Sequence, residues 1–349
     1  MAAVDSFSLL YRQIALSCNT YVETLALVGA LYTASKACVL LQNCCTLVRV
    51  HFLPRLMPIR RTLSQRFGEW AVINGAADDT AQAYAEELAR QGINLIFVSP
   101  DRSMSTDQAR AVAQHYGVET TLVEADLALG EAAAKPLKDA LSDKDVGILV
   151  NCVSESLPSR LTEMSEQELL VLVNRTVVAA TLLTKAILPM MVRQRRGAVV
   201  NLCCGAGSRP SAGRAALFAS EGYLERFSRV LHREYGDQGI FIQTLTPFQV
   251  SSSGTAASSV LAMRGWLVPK PEVYAQHAVS TLGVAHHTTG YWPHTLQEES
   301  ETESKMAWRV PEGGAAMEKA LSLQLPVALF YKPAEIRTAK REGEMVVLV

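Results

Sequence analysis

Residues 67–296 predict an α/β fold, a doubly wound parallel sheet with helices on both faces. Two observations carry this. Short apolar runs recur with little polar alternation, as strands buried on both faces require. Between them lie segments with helical spacing and helix-end signals. A third observation sets residues 1–66 apart. They are apolar and then basic, and predict a helical segment that precedes the sheet.

The elements follow in order. Trp70 to Ile73 is a short buried strand, and Ala81 to Arg90 has helical spacing that ends near Gly92, a good C-terminal cap. Ile93 to Ser99 is the second strand. Thr120 to Val123 is the third, followed by Glu124, Ala125 and Asp126. Val146 to Asn151 is the fourth. A long helix is expected over Glu166 to Val192, with Pro189 near its end. Gly197 to Leu202 is the fifth strand and leads into Cys203, Cys204 and Gly205. The helix Ala215 to Tyr235 and the strand Ile240 to Leu245 complete the pattern. Strand, turn and helix at 70–90 stand where a Rossmann-like dinucleotide fold places its phosphate loop.

Composition narrows the function. The chain has 349 residues, enough to bury a sizeable core. Its net charge of -1 argues against nucleic-acid binding as the main task. The cysteines are Cys18, Cys38, Cys44, Cys45, Cys152, Cys203 and Cys204. Their odd number and the lack of paired CxxC motifs or a secretory cleavage pattern fit a reducing compartment and no metal site. Cys44 and Cys45 beside an apolar stretch suit lipidation, but packing is the expected role.

The N-terminal segment points to a membrane. Apolar residues dominate from Tyr21 to Leu53, interrupted by Glu23, Lys36 and Arg49. The uncharged runs 24–35 and 37–48 are each too short to span alone, since a span takes about 20 residues. Arg49, Arg55, Arg60, Arg61 and Arg66 follow without an acidic residue among them, which favours an anionic membrane surface. The alternative is a pair of helices packed on the domain or on a partner subunit.

The stretch NLCCGAGSRPSAGRAALFASEGYLERFSR, residues 201–229, resembles the serine, tyrosine and lysine segment of the short-chain dehydrogenase/reductase family. With WAVINGA, AYAEELARQGI, KDVGILVN and FSRVLHREYGDQGIFIQ, it is similar to that family's 17-beta-hydroxysteroid dehydrogenase type 3 subfamily, in a branch regarded as inactive and mitochondrial. The resemblance covers roughly residues 1–296; the tail 297–349 is divergent, with a solvated acidic run and a disordered character expected.

The resemblance implies which residues to inspect. The serine, tyrosine and lysine positions hold Cys204, Leu217 and Glu221. Asn174 matches the family's structural asparagine of the proton relay. The loop NGAADDTA, Asn74 to Ala81, stands at the family's TGxxxGxG; Gly75 survives, while Asp79 and Ala81 replace the later glycines. Asp126 matches an acidic residue that contacts adenine, and Asn151 one asparagine of NNAG. Arg102 is two residues late for a 2′-phosphate and is expected to be a surface arginine.

The chemistry makes these substitutions decisive. Carbonyl reduction needs a proton donor beside the carbonyl oxygen as hydride arrives at carbon. A tyrosine serves when a lysine cation lowers its pKa. Leu217 donates no proton, Glu221 has the wrong sign, and Cys204 is a weak donor. Tyr223 lies six residues beyond Leu217, about 240° around a helix, on the wrong side. Asp79 is expected to serve the helix start as its own anion in place of phosphate. The expectation is a pseudoenzyme that needs no NADP(H), with a binding or scaffolding role at mitochondria. Its partners would be an unidentified protein, a lipid or steroid ligand, and the membrane surface. The alternative is a residual NADP(H)-dependent reductase of a steroid or very-long-chain acyl ketone at the endoplasmic reticulum membrane.

Overall fold

The computed structural model describes residues 2–56, 62–76, 78–99, 102–125, 137, 140–141, 143–152, 160–203, 213–251, 266–298, 338–341 and 344–347. The chain divides into two compact units, Met1–Ile59 and Arg60–Val349.

The first unit is dominated by one helix. Helix α1, Ala2–Leu47, runs on through a π turn at Val48–Phe52 and a last helical turn at Leu53–Leu56. The two apolar runs are therefore joined in one rod rather than split into a pair of helices. Lys36 does not end it, because lysine is a good helix former. From Tyr21 onward its side chains are mostly exposed, Leu25 at 77% and Leu41 at 65%. Cys38, Cys44 and Cys45 are exposed too, which corrects the expectation that the vicinal pair packs. Residues Tyr21–Leu56 are long and apolar enough to cross a membrane by length and composition.

The second unit carries a seven-stranded sheet of order β3-β2-β1-β4-β5-β6-β7. Its strands are β1 Trp70–Asn74, β2 Asn94–Ser99, β3 Thr120–Glu124, β4 Val146–Cys152, β5 Gly197–Leu202, β6 Ile240–Leu245 and β7 His287–Thr288. Every neighbouring pair is parallel, so each connection must cross over the sheet. The helices are α2 Leu63–Arg66, α3 Asp79–Arg90, α4 Arg102–Tyr116, α5 Glu166–Gln194, α6 Ala215–Tyr235 and α7 Pro271–Ser280. A further helical stretch covers 292–298. Beyond it the described residues hold an antiparallel pair, β8 Thr338–Arg341 with β9 Glu344–Val347.

The continuous apolar runs of β1, β4 and β5 follow from burial on both faces. Ala71, Ile73, Ile148 and Val150 enter one core with α3 and α7, and Val72, Leu149 and Val199 enter the other with α5. Helix α5 contains a π turn at Asn174–Val178, where Thr176 Oγ1 donates to the Leu172 carbonyl at 2.7 Å.

The sheet unit begins earlier than residue 67. Thr62 caps α2, and Arg66 Nη2 donates to the Gly283 carbonyl at 2.7 Å. Gly283 has φ +80, and a Cβ there would stand 2.4 Å from the guanidinium. Arg66 is thus committed to the domain, not to the basic cluster read as membrane-facing.

Candidate functional site

The site is built at the C-terminal ends of β1, β4 and β5, where an open α/β sheet binds its ligands. After β1 the chain turns at Gly75, whose φ is +86. A Cβ on Gly75 would lie 2.6 Å from the Cys152 carbonyl oxygen. Gly75 is therefore required by the close approach of β1 to the end of β4, whatever the loop holds.

The start of α3 is satisfied from within. Asp78 is the N-cap, and its Oδ1 accepts from the Thr80 and Ala81 amides at 2.9 and 3.2 Å. Cys152 Sγ donates to the same oxygen at 3.8 Å. Burial pushes the Asp78 carboxyl above the usual carboxylate range, opposed by the two backbone bonds. The expectation assigned this role to Asp79. Asp79 instead opens the helix as its first residue and does not make the cap bonds. The difference has a simple cause. The helix begins two residues before Ala81, and a cap must precede the first helical residue. A pyrophosphate seated on these amides would have to displace a carboxylate, and Ala81 is fully buried beneath them. The residues present do not fit that group.

Asn151 is buried and engaged with the fold. Its Nδ2 donates to Asn201 Oδ1 at 2.9 Å, and Asn201 Nδ2 donates to Ser228 Oγ at 2.6 Å. Ser228 passes its proton bond to the Leu224 carbonyl at 2.7 Å. This chain fastens β4, β5 and α6 together.

The proton-donor position lies in a small core. Leu217 is 3% exposed and clusters with Ala180, Cys203 and Leu224. Glu221, one turn further along α6, is also buried. A carboxylate thus stands where a cation would be needed to lower a phenol's pKa. Asn174 is half-buried at the head of the π turn. Tyr223 faces elsewhere: its hydroxyl bonds Thr181 Oγ1 at 3.0 Å and its ring stacks on Phe227 at 5.6 Å. Asp126, Cys204 and the Arg102 side chain lie outside the described residues. Among the described residues no group of three or more His, Cys, Asp or Glu is placed to hold a metal ion.

The short-chain dehydrogenase family model matches residues 69–260. The chain belongs to that family. It is 52% identical over 299 residues to "Inactive hydroxysteroid dehydrogenase-like protein 1" of Danio rerio, covering 85% of this chain and 93% of that protein. The human protein of the same name is 48% identical over 299 residues, with 85% and 90% covered. Among solved structures, a 7beta-hydroxysteroid dehydrogenase superposes with TM-score 0.60 at 20% identity, covering 72% of this chain and 95% of that one. With a leucine at the proton donor's place and a glutamate at the cation's, the chain is a pseudoenzyme of the family. Sequence reasoning missed Asp78 and the part of Cys152. The signal was present in the adjacent aspartates, one of which had to precede the helix.

Proposed function

We propose that this chain is a non-catalytic short-chain dehydrogenase that has lost NADP(H) and serves as a binding or scaffolding protein at a mitochondrial membrane. One observation carries this: Asp78 holds the α3 amides that a dinucleotide's phosphates would need. A domain that caps this helix itself has no use for a nucleotide in folding. The buried Leu217 supports the same conclusion from the chemical side. The exposed apolar surface of α1 and the arginines after it support the membrane placement.

Two measurements test the proposal. NADPH is titrated against the purified chain by its own fluorescence, with melting followed in parallel. Neither signal should respond at millimolar nucleotide, because a ligand stabilises only the state that it binds. Saturable micromolar binding would overturn the loss of cofactor. The full chain with a C-terminal fluorescent tag is imaged in cells beside a version lacking residues 1–56. The full chain should mark mitochondria and the shortened one should not. Staining of the endoplasmic reticulum would remove the mitochondrial part, and a diffuse signal from both would remove the membrane part.

A further inference from the structure

Cys44 and Cys45 are neighbours near the C-terminal end of α1, and Cys38 lies on the same helix. All three thiols are free and exposed, so none of them packs within the described fold. Nor do they suit bonding to one another. Adjacent Cα atoms stand about 3.8 Å apart, nearer than the roughly 4.4–6.8 Å that a disulfide uses. Cys38 precedes Cys44 by six residues of helix, about 9 Å along its axis, which is too far. Among the described residues no group of three or more His, Cys, Asp or Glu is placed to engage them with a metal ion. The vicinal pair is left as two accessible thiols.

Their setting says what chemistry they meet. Leu40 and Leu41 stand one turn before the pair and Val48 one turn after Cys44, exposed at 63%, 65% and 51%. A chain attached to either sulfur would leave the helix among apolar side chains. Arg49 follows Cys45 by four residues, about 6 Å along the axis. Arg55, Arg60 and Arg61 come after it, and no acidic residue falls between Glu23 and Glu69. On an anionic bilayer such arginines stay at the level of the headgroups. With Arg49 there, Cys44 and Cys45 lie just inside, where a thiol meets reagents from water and its product can enter lipid. Cys38 is eleven residues from Arg49, about 16 Å, and does not share that level. Thiols at the margin of a membrane-associating helix are the setting of reversible S-acylation. One acyl chain alone attaches a protein only marginally, whereas a chain beside a basic cluster attaches it stably.

We propose that Cys44 and Cys45 are sites of S-acylation by a long-chain acyl-coenzyme A. The Sγ thiolate of either cysteine attacks the thioester carbonyl carbon. A carbon–sulfur bond forms to the cysteine as the one to coenzyme A breaks. Coenzyme A leaves as a thiolate and takes up the proton that the cysteine released, so nothing is oxidised or reduced. The inference rests on the membrane placement proposed above and adds a covalent attachment to it.

The test uses the full chain with a C-terminal tag, expressed in cells fed an alkyne analogue of palmitate. The captured protein is coupled to an azide fluorophore, and a blot for the tag gives the amount of each variant. The parent should carry label that neutral hydroxylamine removes, as a thioester requires. Cys38→Ser should keep that label, and Cys44→Ser with Cys45→Ser should lose it; all three replacements fall at exposed positions. Label that resists hydroxylamine would overturn the thioester. Label that survives in the double variant, or that is lost in Cys38→Ser, would overturn the assignment to the pair. Membrane and soluble fractions of the same cells are compared in parallel. An unlabelled parent in the membrane fraction would overturn acylation and leave the membrane placement standing. An unlabelled parent in the soluble fraction would overturn both.

Discussion

Cys152 Sγ donates to Asp78 Oδ1 across 3.8 Å, joining the end of β4 to the cap of α3. Three donors thus converge on one carboxylate oxygen at the place where the family's cofactor would enter.

The cap should be separable from its charge. Asp78→Ala removes the acceptor and should cost about 1 kcal/mol of stability. Asp78→Asn keeps an acceptor and removes the burial penalty that raises this carboxyl. It should be at least as stable as the parent at pH 7. The sign agrees: a carboxyl raised in the folded state favours folding when protonated, and loses that contribution as pH rises through its folded pKa. Urea unfolding of the two variants at pH 7 checks the contrast.

Repairing the chemistry alone should not restore turnover. Cys204→Ser, Leu217→Tyr and Glu221→Lys together replace the carbonyl orienter, the proton donor and its cation. With Asp78 ionised, a phosphate about 4 Å away is repelled by on the order of 4 kcal/mol at an effective dielectric near 20. That weakens nucleotide binding roughly 10³-fold. The triple variant is assayed with NADPH and a panel of steroid and acyl ketones, beside a version that also carries Asp78→Gly, Asp79→Gly and Ala81→Gly. The second should bind NADPH before it turns over. Turnover by the triple variant alone would refute the blocked phosphate seat.

Acid should unfold the sheet domain through His294. This imidazole is fully buried; its Nδ1 accepts from the Phe248 amide at 3.2 Å and its Nε2 faces the Leu267 carbonyl at 3.1 Å. Both contacts suit the neutral ring with its proton on Nε2, and burial lowers the pKa from 6.5 to about 4. A histidine depressed in the folded state makes the unfolded chain the better proton acceptor. Stability should therefore fall as pH drops below about 6.5, by about 3 kcal/mol once it passes below 4. His232, lowered by burial and by His286 at 3.7 Å, adds in the same direction. Unfolding midpoints between pH 7 and pH 4 measure the slope, and His294→Gln should flatten it.

Tyr84→Phe should stabilise the protein. Tyr84 is fully buried in α3, and among the described residues its hydroxyl has no hydrogen-bond partner. Removing a buried unsatisfied hydroxyl while keeping the ring should gain about 1 kcal/mol, read as a higher melting temperature.

The sheet was legible because its strands are buried on both faces and their apolar runs are unbroken. Element β7 was not. His287 and Thr288 carry no apolar signal, and the strand is recognised only by its pairing with Thr244 and Leu245. The helical N-terminal segment was legible in its apolar residues, and Lys36 sits inside one continuous helix because lysine favours helices. At the site, the loss of the tyrosine and lysine could be read directly from Leu217 and Glu221. The burial of Leu217 in a small core could not, since it depends on Ala180 and Cys203 arriving from other elements. The exchange of Asp79 for Asp78 turned on a helix boundary, the feature a single sequence defines least well.

The bond from Arg66 to Gly283 closes a span of 217 residues. During synthesis at about 5–20 residues per second, Gly283 leaves the ribosome roughly 10–40 s after Arg66. Helix α1 has by then been exposed as a nascent chain throughout that interval, with the sheet still incomplete. The N-terminal segment is therefore complete well before the sheet domain can close.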